Sequence, residues 1–196
     1  MPRIPARPAS KVGLFTRVLF WYSRRRFGAV LEPFAVLAHH PKLLWALAIF
    51  EMQLVPAARR LPASLRDLAV YRVATQVGCS WCVDFGTMLA RLQGLDLDKL
   101  TAIDSYPTSP RFTELERAVL AYADAMTAQP PRVEDDMVAR LDRELGHDGL
   151  VELTFVIAVE NMRARCFHAL GITDQGFSSG DVSAVPPSRR TAKSVS

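Results

Sequence analysis

The chain has 196 residues, 49% of them hydrophobic, which is enough to bury the core of one globular domain. Its three cysteines are too few for a secreted disulfide framework. The net charge of +4 comes from the ends: residues 1–28 carry seven basic residues and no acid, while residues 29–180 carry a net −5, so the body lacks the basic face that nucleic-acid binding requires.

Residues 1–10 are rich in proline and arginine and read as a disordered arm. From Lys11 to Phe27 the pattern is helical, with Leu14, Val18, Trp21 and Tyr22 on one side and Arg17, Arg24 and Arg25 elsewhere. Its apolar run is interrupted by Arg17 and followed by three arginines, unlike a signal peptide. No apolar run reaches the roughly 20 residues that cross a bilayer, and a cytoplasmic protein is expected. A basic amphipathic helix suits a membrane surface, so a peripheral contact through 11–27 is one reading; docking on the chain's own body or on a neighbouring subunit is preferred.

His39-His40-Pro41 reads as a helix entry, and Leu43 to Val55 as a buried helix. Pro62 opens a helix over Ala63 to Gly78, with Ser64 and Asp67 as a capping arrangement. The Cys79-Ser80-Trp81-Cys82 block follows, then a helix over Val83 to Leu92 that Gly94 ends. Asp96 caps a short helix to Ile103, and Tyr106 to Pro110 is a loop. Thr113 and Glu116 match a capping box before Leu115 to Ala128, and Pro130-Pro131 breaks that helix. Glu134 to Leu145 is amphipathic and stops at Gly146; His147 to Leu170 is apolar and closes at Gly171. Periodicity is lost after Thr173. The expected organisation is a disordered arm (1–10), one helical domain (11–173) and a disordered tail (174–196), in an all-α class without strand alternation.

Two thiols three apart on a helix lie on one face, close enough to join. A helix start favours a thiolate, because free backbone N–H groups and the helix dipole stabilise negative charge. The pair therefore reads as a redox couple, with a structural pair or half of a zinc site as alternatives. Zinc lacks ligands: only His39, His40, His147 and His168 accompany the cysteines, with no second CxxC and no HxxxH. No metal and no cofactor are expected. Cys166, on an apolar helix, reads as a small core hydrophobe.

Arg66-Asp67, an apolar helix and Gly78-Cys79-Ser80-Trp81-Cys82-Val83-Asp84-Phe85 together resemble the AhpD-like, carboxymuconolactone decarboxylase superfamily. Glu160-Asn161-Met162-Arg163-Ala164-Arg165-Cys166-Phe167-His168 resembles the closing helix of many members, and Arg26-Phe27-Gly28 and Ala38-His39-His40-Pro41 resemble the longer ones. The resemblance implies an all-helical domain built around an antiparallel helical hairpin, here with an added N-terminal helix, assembled as a dimer, trimer or hexamer. It implies a thiol peroxidase in which Cys82 attacks a peroxide, Cys79 resolves it, and a lipoamide-type dithiol donor restores the pair. Asp67 matches the family's relay glutamate twelve residues before the first cysteine; the relay histidine four residues after the second is Gly86 here. Asp84 is weighed as a substitute base, or as the partner of Arg163 or Arg165, and His168 as a group approaching from the last helix. Asp67 has a competing reading as a first-turn cap. The alternatives to a peroxidase are a carboxymuconolactone decarboxylase-like enzyme, which needs no cysteine pair, and a non-catalytic redox-sensing or interaction protein.

Overall fold

The structure is a computed structural model that describes residues 2–179; Met1 and the stretch 180–196 of the expected tail lie outside the described residues. Among the described residues there are eight α-helices and no strand: α1 (Leu14–Phe27), α2 (Glu32–Leu37), α3 (Pro41–Ala57), α4 (Ala63–Val77), α5 (Ser80–Gln93), α6 (Leu97–Thr101), α7 (Glu114–Thr127) and α8 (Asp135–Leu170). α8 is broken at Gly146, whose φ of 70° leaves the helical region, where the sequence pattern ends one helix and starts the next.

α4 is the central rod, and α5, α7 and α8 pack on it. The reason is its apolar spacing. Leu65, Ala69 and Val73 face Val119, Ala123, Leu153 and Ile157 of α7 and α8. Leu68 faces Ala90, Leu100 and Leu120. Ala74 faces the two cysteines and Ala164. The fully buried Leu153 and Ile157 each contribute about 2 kcal/mol by leaving water. Arg72 ties α4 to α7 through a forked bond to Asp124 (2.6 and 3.1 Å), and Tyr106 donates to the same carboxylate at 2.9 Å.

Local start signals behave as the sequence implies. Thr113 and Glu116 form the reciprocal capping box. Asp96 accepts from Asp98 N, and His40 from Leu43 N with Pro41 in the first turn. The Ser64–Asp67 cap is not formed: Pro62 is the N-cap of α4, and no side chain bonds there.

Three features differ from the sequence reading: the buried face of α1, the exposure of α3 and the exposure of Cys166. α1 turns Thr16, Phe20 and Ser23 inward and leaves Leu14, Phe15, Val18, Trp21 and Tyr22 exposed. Ser23 explains the inversion, because its Oγ donates to Ala29 O and accepts from Leu31 N, which knots the helix exit into the body. α3 is not a buried helix: only Leu44 and Ala48 are buried, while Leu43, Ile49, Met52 and Val55 are exposed. Cys166 is exposed rather than packed in the core. The two ends are held where the structure describes them. Arg3 donates to His168 O and Ala169 O, Arg7 N bonds Ala35 O, and Phe177 is buried in the core cluster that contains the cysteines.

α3 is anchored to α8 by charge as well as by the Phe50–Phe155 contact. Arg163 lies 3.3 Å from Glu51 and 3.4 Å from Glu160. Burial pushes the Glu160 carboxyl up to about 7, Arg163 pulls it down, and Glu51 adds to the rise. A carboxyl raised in the folded state holds its proton more tightly there than in the unfolded chain. Its contribution to stability is therefore present below pH 4.5 and is lost as pH rises to about 7. We expect Glu160→Gln to match or slightly weaken the wild type at pH 5 and to exceed it by about 1–3 kcal/mol at pH 8, measured by urea unfolding at both pH values.

Candidate active site

The site begins at a turn. Gly78 ends α4 in the left-handed region (φ 76°), a conformation that suits glycine, and Cys79 follows as the N-cap of α5. Its sulfur accepts the Cys82 N–H at 3.2 Å, so the cap position that serine or aspartate commonly fills is held by a sulfur. The two sulfurs are joined in the structure (S–S 2.08 Å, Cα–Cα 5.3 Å). Both residues are buried, Cys79 at 1% and Cys82 at 8% exposure. Cys82, and not Cys79, lines a cavity of about 150 Å³ in the groove between α4 and α5.

The groove has one stripe from each helix. α4 contributes Asp67, Tyr71 and Ala74, and α5 contributes Cys82, Gly86 and Ala90. The walls are largely apolar. Lys99 and Glu116 also line it but are committed to each other at 2.6 Å. Asp67 lines the groove and makes no cap bond. Its Oδ1 takes Arg66 Nε at 3.1 Å, and its Oδ2 is buried without a hydrogen-bond partner. Burial raises its carboxyl above the ordinary aspartate range, with Arg66 opposing.

Gly86, in the middle of α5, packs against Tyr71. A Cβ at Gly86 would lie 3.3 Å from Tyr71 Cδ2, so the tyrosine ring occupies the ground beside it. The Tyr71 hydroxyl reaches Thr87 Oγ1 at 3.2 Å. Sequence reasoning missed Tyr71. The available signal was its position four residues after Asp67, opposite a glycine four residues after Cys82.

Asp84 and His168 are elsewhere. Asp84 is buried on the other side of α5, where its carboxylate accepts backbone N–H bonds from Gln175 (2.9 Å), Phe177 (3.0 Å) and Ser178 (2.7 Å). Burial alone would raise its carboxyl, but these bonds from Ser178, Phe177 and Gln175 outweigh it and hold the group below the ordinary range. It pairs with neither Arg163, which meets Glu51 and Glu160, nor Arg165, which donates to Thr127 O at 3.0 Å. His168 is exposed, with Nδ1 3.4 Å from Gly78 O. The strap that Asp84 holds also touches the motif. Gln175 Oε1 accepts from Trp81 Nε1 and from Glu32 N, each at 2.8 Å, and Trp81 stacks on Phe85 at 4.7 Å. Among the described residues no three His, Cys, Asp or Glu side chains gather as a metal site.

A helical bundle whose central antiparallel hairpin carries a CxxC pair at its turn is the AhpD-like fold. The profile of the carboxymuconolactone decarboxylase family matches residues 41–125. The uncharacterized protein YnjA of Escherichia coli (strain K12) is 33% identical over 170 residues, covering 87% of this chain and 93% of its own. The chain belongs to the carboxymuconolactone decarboxylase family. Its fold is also similar to the alkylhydroperoxidase AhpD core of a peroxidase-related protein from Ralstonia eutropha JMP134 (TM-score 0.78, 18% identity, 90% of this chain and 94% of that one). The debrominase Bmp8 is similar too (TM-score 0.73, 19% identity, 86% and 90%).

Asp84 supplies a separable prediction. Its lowered carboxyl stabilises the fold above the unfolded aspartate range, and that stability is lost as pH falls through the still lower folded-state value. We expect Asp84→Asn to lower stability at pH 7 by about 2 kcal/mol and to speed amide exchange at 172–179, read by hydrogen–deuterium exchange. Unchanged exchange there would remove the anchoring role.

Proposed function

We propose that the chain is a thiol-dependent peroxidase working through the Cys79–Cys82 couple, in a reducing, cytoplasmic setting and as a homo-oligomer. The observation that carries this reading is the sharing of one cavity by Cys82 and Asp67, a residue with one unpartnered carboxylate oxygen, with Cys79 joined to Cys82. Exposed apolar residues on α1 and α3 support assembly with further copies.

The cycle follows from these positions. Asp67, in its ionised form, takes the Cys82 thiol proton by way of water in the cavity between them. The thiolate attacks the terminal oxygen of a hydroperoxide, forming an S–O bond as the O–O bond breaks. The departing alkoxide collects the proton and leaves as the alcohol. Cys79, whose sulfur sits at the helix N-terminus and accepts the Cys82 N–H, attacks the sulfenic sulfur as a thiolate. The S–S bond forms, and hydroxide leaves and is protonated to water. An external dithiol then reduces the pair and is itself oxidised to a disulfide. Cys82, on the cavity side, is the sulfur such a donor reaches.

A decarboxylase acting on an acidic lactone needs cationic groups to hold its substrate. Here the lining cation, Lys99, is already paired with Glu116, and the other charged residues lining the cavity, Asp67 and Asp96, are carboxylates. That balance favours a neutral substrate.

Cys82→Ser is expected to abolish peroxide-dependent oxidation of dihydrolipoamide, and Cys79→Ser to leave a sulfenic acid that dimedone traps. Peroxide turnover equal to wild type in Cys82→Ser would end the peroxidase reading. Asp67→Asn is expected to slow Cys82 oxidation by at least about 10-fold without lowering unfolding free energy, because the group it removes is a carboxyl that burial penalises when charged. In the wild type the acid limb of the rate profile follows the raised Asp67 carboxyl, and activity falls as pH drops through it.

A further inference from the structure

We infer that Tyr71 is the hydrogen-bond donor to the departing peroxide oxygen, taking over the ground beside Gly86 on the cavity wall. The inference rests on the peroxidase reading and adds a group to it.

The register of the hairpin carries the argument. α4 and α5 run antiparallel from the turn at Gly78. Ala74 clusters with Cys79 and Cys82, Tyr71 meets Gly86, and Leu68 clusters with Ala90. Along the groove, Tyr71 therefore stands between Asp67, one turn before it on α4, and Cys82, one turn before Gly86 on α5. All four residues line the same cavity. Whatever molecule bridges the carboxylate and the sulfur passes the tyrosine.

Hydrogen accounting fixes the polarity of its hydroxyl. Thr87 donates its one hydroxyl hydrogen to Val83 O at 2.8 Å. The 3.2 Å contact between Tyr71 and Thr87 must then have the phenol donating to Thr87 Oγ1. Tyr71, which lines the cavity, thus carries a donor hydroxyl, whereas Asp67 Oδ2 is a buried acceptor without a partner. When the O–O bond breaks, negative charge develops on the leaving oxygen while Asp67 still holds the Cys82 proton. A phenol O–H that turns from Thr87 to that oxygen stabilises the charge until the proton arrives. Tyr71 lends a hydrogen bond and keeps its proton, so the proton that completes the alcohol is the one Asp67 removed from Cys82. Gly86 is what admits the ring: a side chain there would press on Cδ2.

The test compares two reactions of the same thiolate in the full chain. tert-Butyl hydroperoxide has a basic leaving oxygen that needs a donor, whereas iodoacetamide expels iodide, which does not. We expect Tyr71→Phe to slow hydroperoxide consumption by about 10- to 100-fold and to change Cys82 alkylation by less than about twofold. Thr87→Val, which leaves the phenol free of its resting partner, should keep the wild-type hydroperoxide rate. Thermal melts of both variants verify the fold. If Tyr71→Phe turns over hydroperoxide like wild type while Cys82→Ser is inactive, the inference fails and the peroxidase reading stands. If Cys82→Ser is fully active, both fail. Equal losses in the two reactions, or a Thr87→Val loss matching that of Tyr71→Phe, would assign the tyrosine to holding α4 against α5 and overturn its role as a donor.

Discussion

The left-handed turn at Gly78 is the constraint on which the site depends. It reverses the chain within one residue and delivers Cys79 to the cap position of the next helix. Because the reversal is tight, the facing stripes of α4 and α5 have only one register. Moving either helix by a residue would rotate Cys82 away from the groove, since neighbouring side chains on a helix point about 100° apart. The packing of α7 and α8 on the other faces of α4 then holds that register from behind.

Two environments meet across α5. On the groove side stand an unpaired carboxylate oxygen and a tyrosine with limited partners. On the opposite side every polar group is committed: Asp84 to three N–H donors, Gln175 to Trp81, Glu32 and Val30. The aromatic set of Trp81, Phe85, Phe167 and Phe177 fills the space between. The groove side thus keeps an unsatisfied group whose cost to stability must be offset nearby, and the closely bonded side behind the disulfide supplies that offset.

Much of this was legible in the sequence where the cause is local. Thr113 with Glu116, Asp96, the glycines that end helices and the CxxC spacing each act within one turn, so their residues announce them. Asp67 was readable as a candidate by its spacing, though not as a residue with an open oxygen. What was hidden depends on the third dimension. The outward apolar stripe of α1 follows from Ser23 bonding Ala29 and Leu31, and the anchoring by Asp84 needs a segment more than ninety residues away. Amphipathic pattern names the two faces of α1 and α3 but cannot say which one a single protomer covers. Cys166 misled for the same reason: an apolar helix still has a wet side.

The clasp between Arg3 and the last turn of α8 gives the protein's first residues an unexpected reach. Arg3 bonds three successive carbonyls, those of His168, Ala169 and Leu170. Its backbone nitrogen comes within 2.9 Å of where a side chain on Gly171 would begin. Phe167, one turn back, is the ring against which Trp81 leans. Loss of Arg3 would thus uncap the last turn of α8 and slacken, from a distance, the ring that packs behind the disulfide.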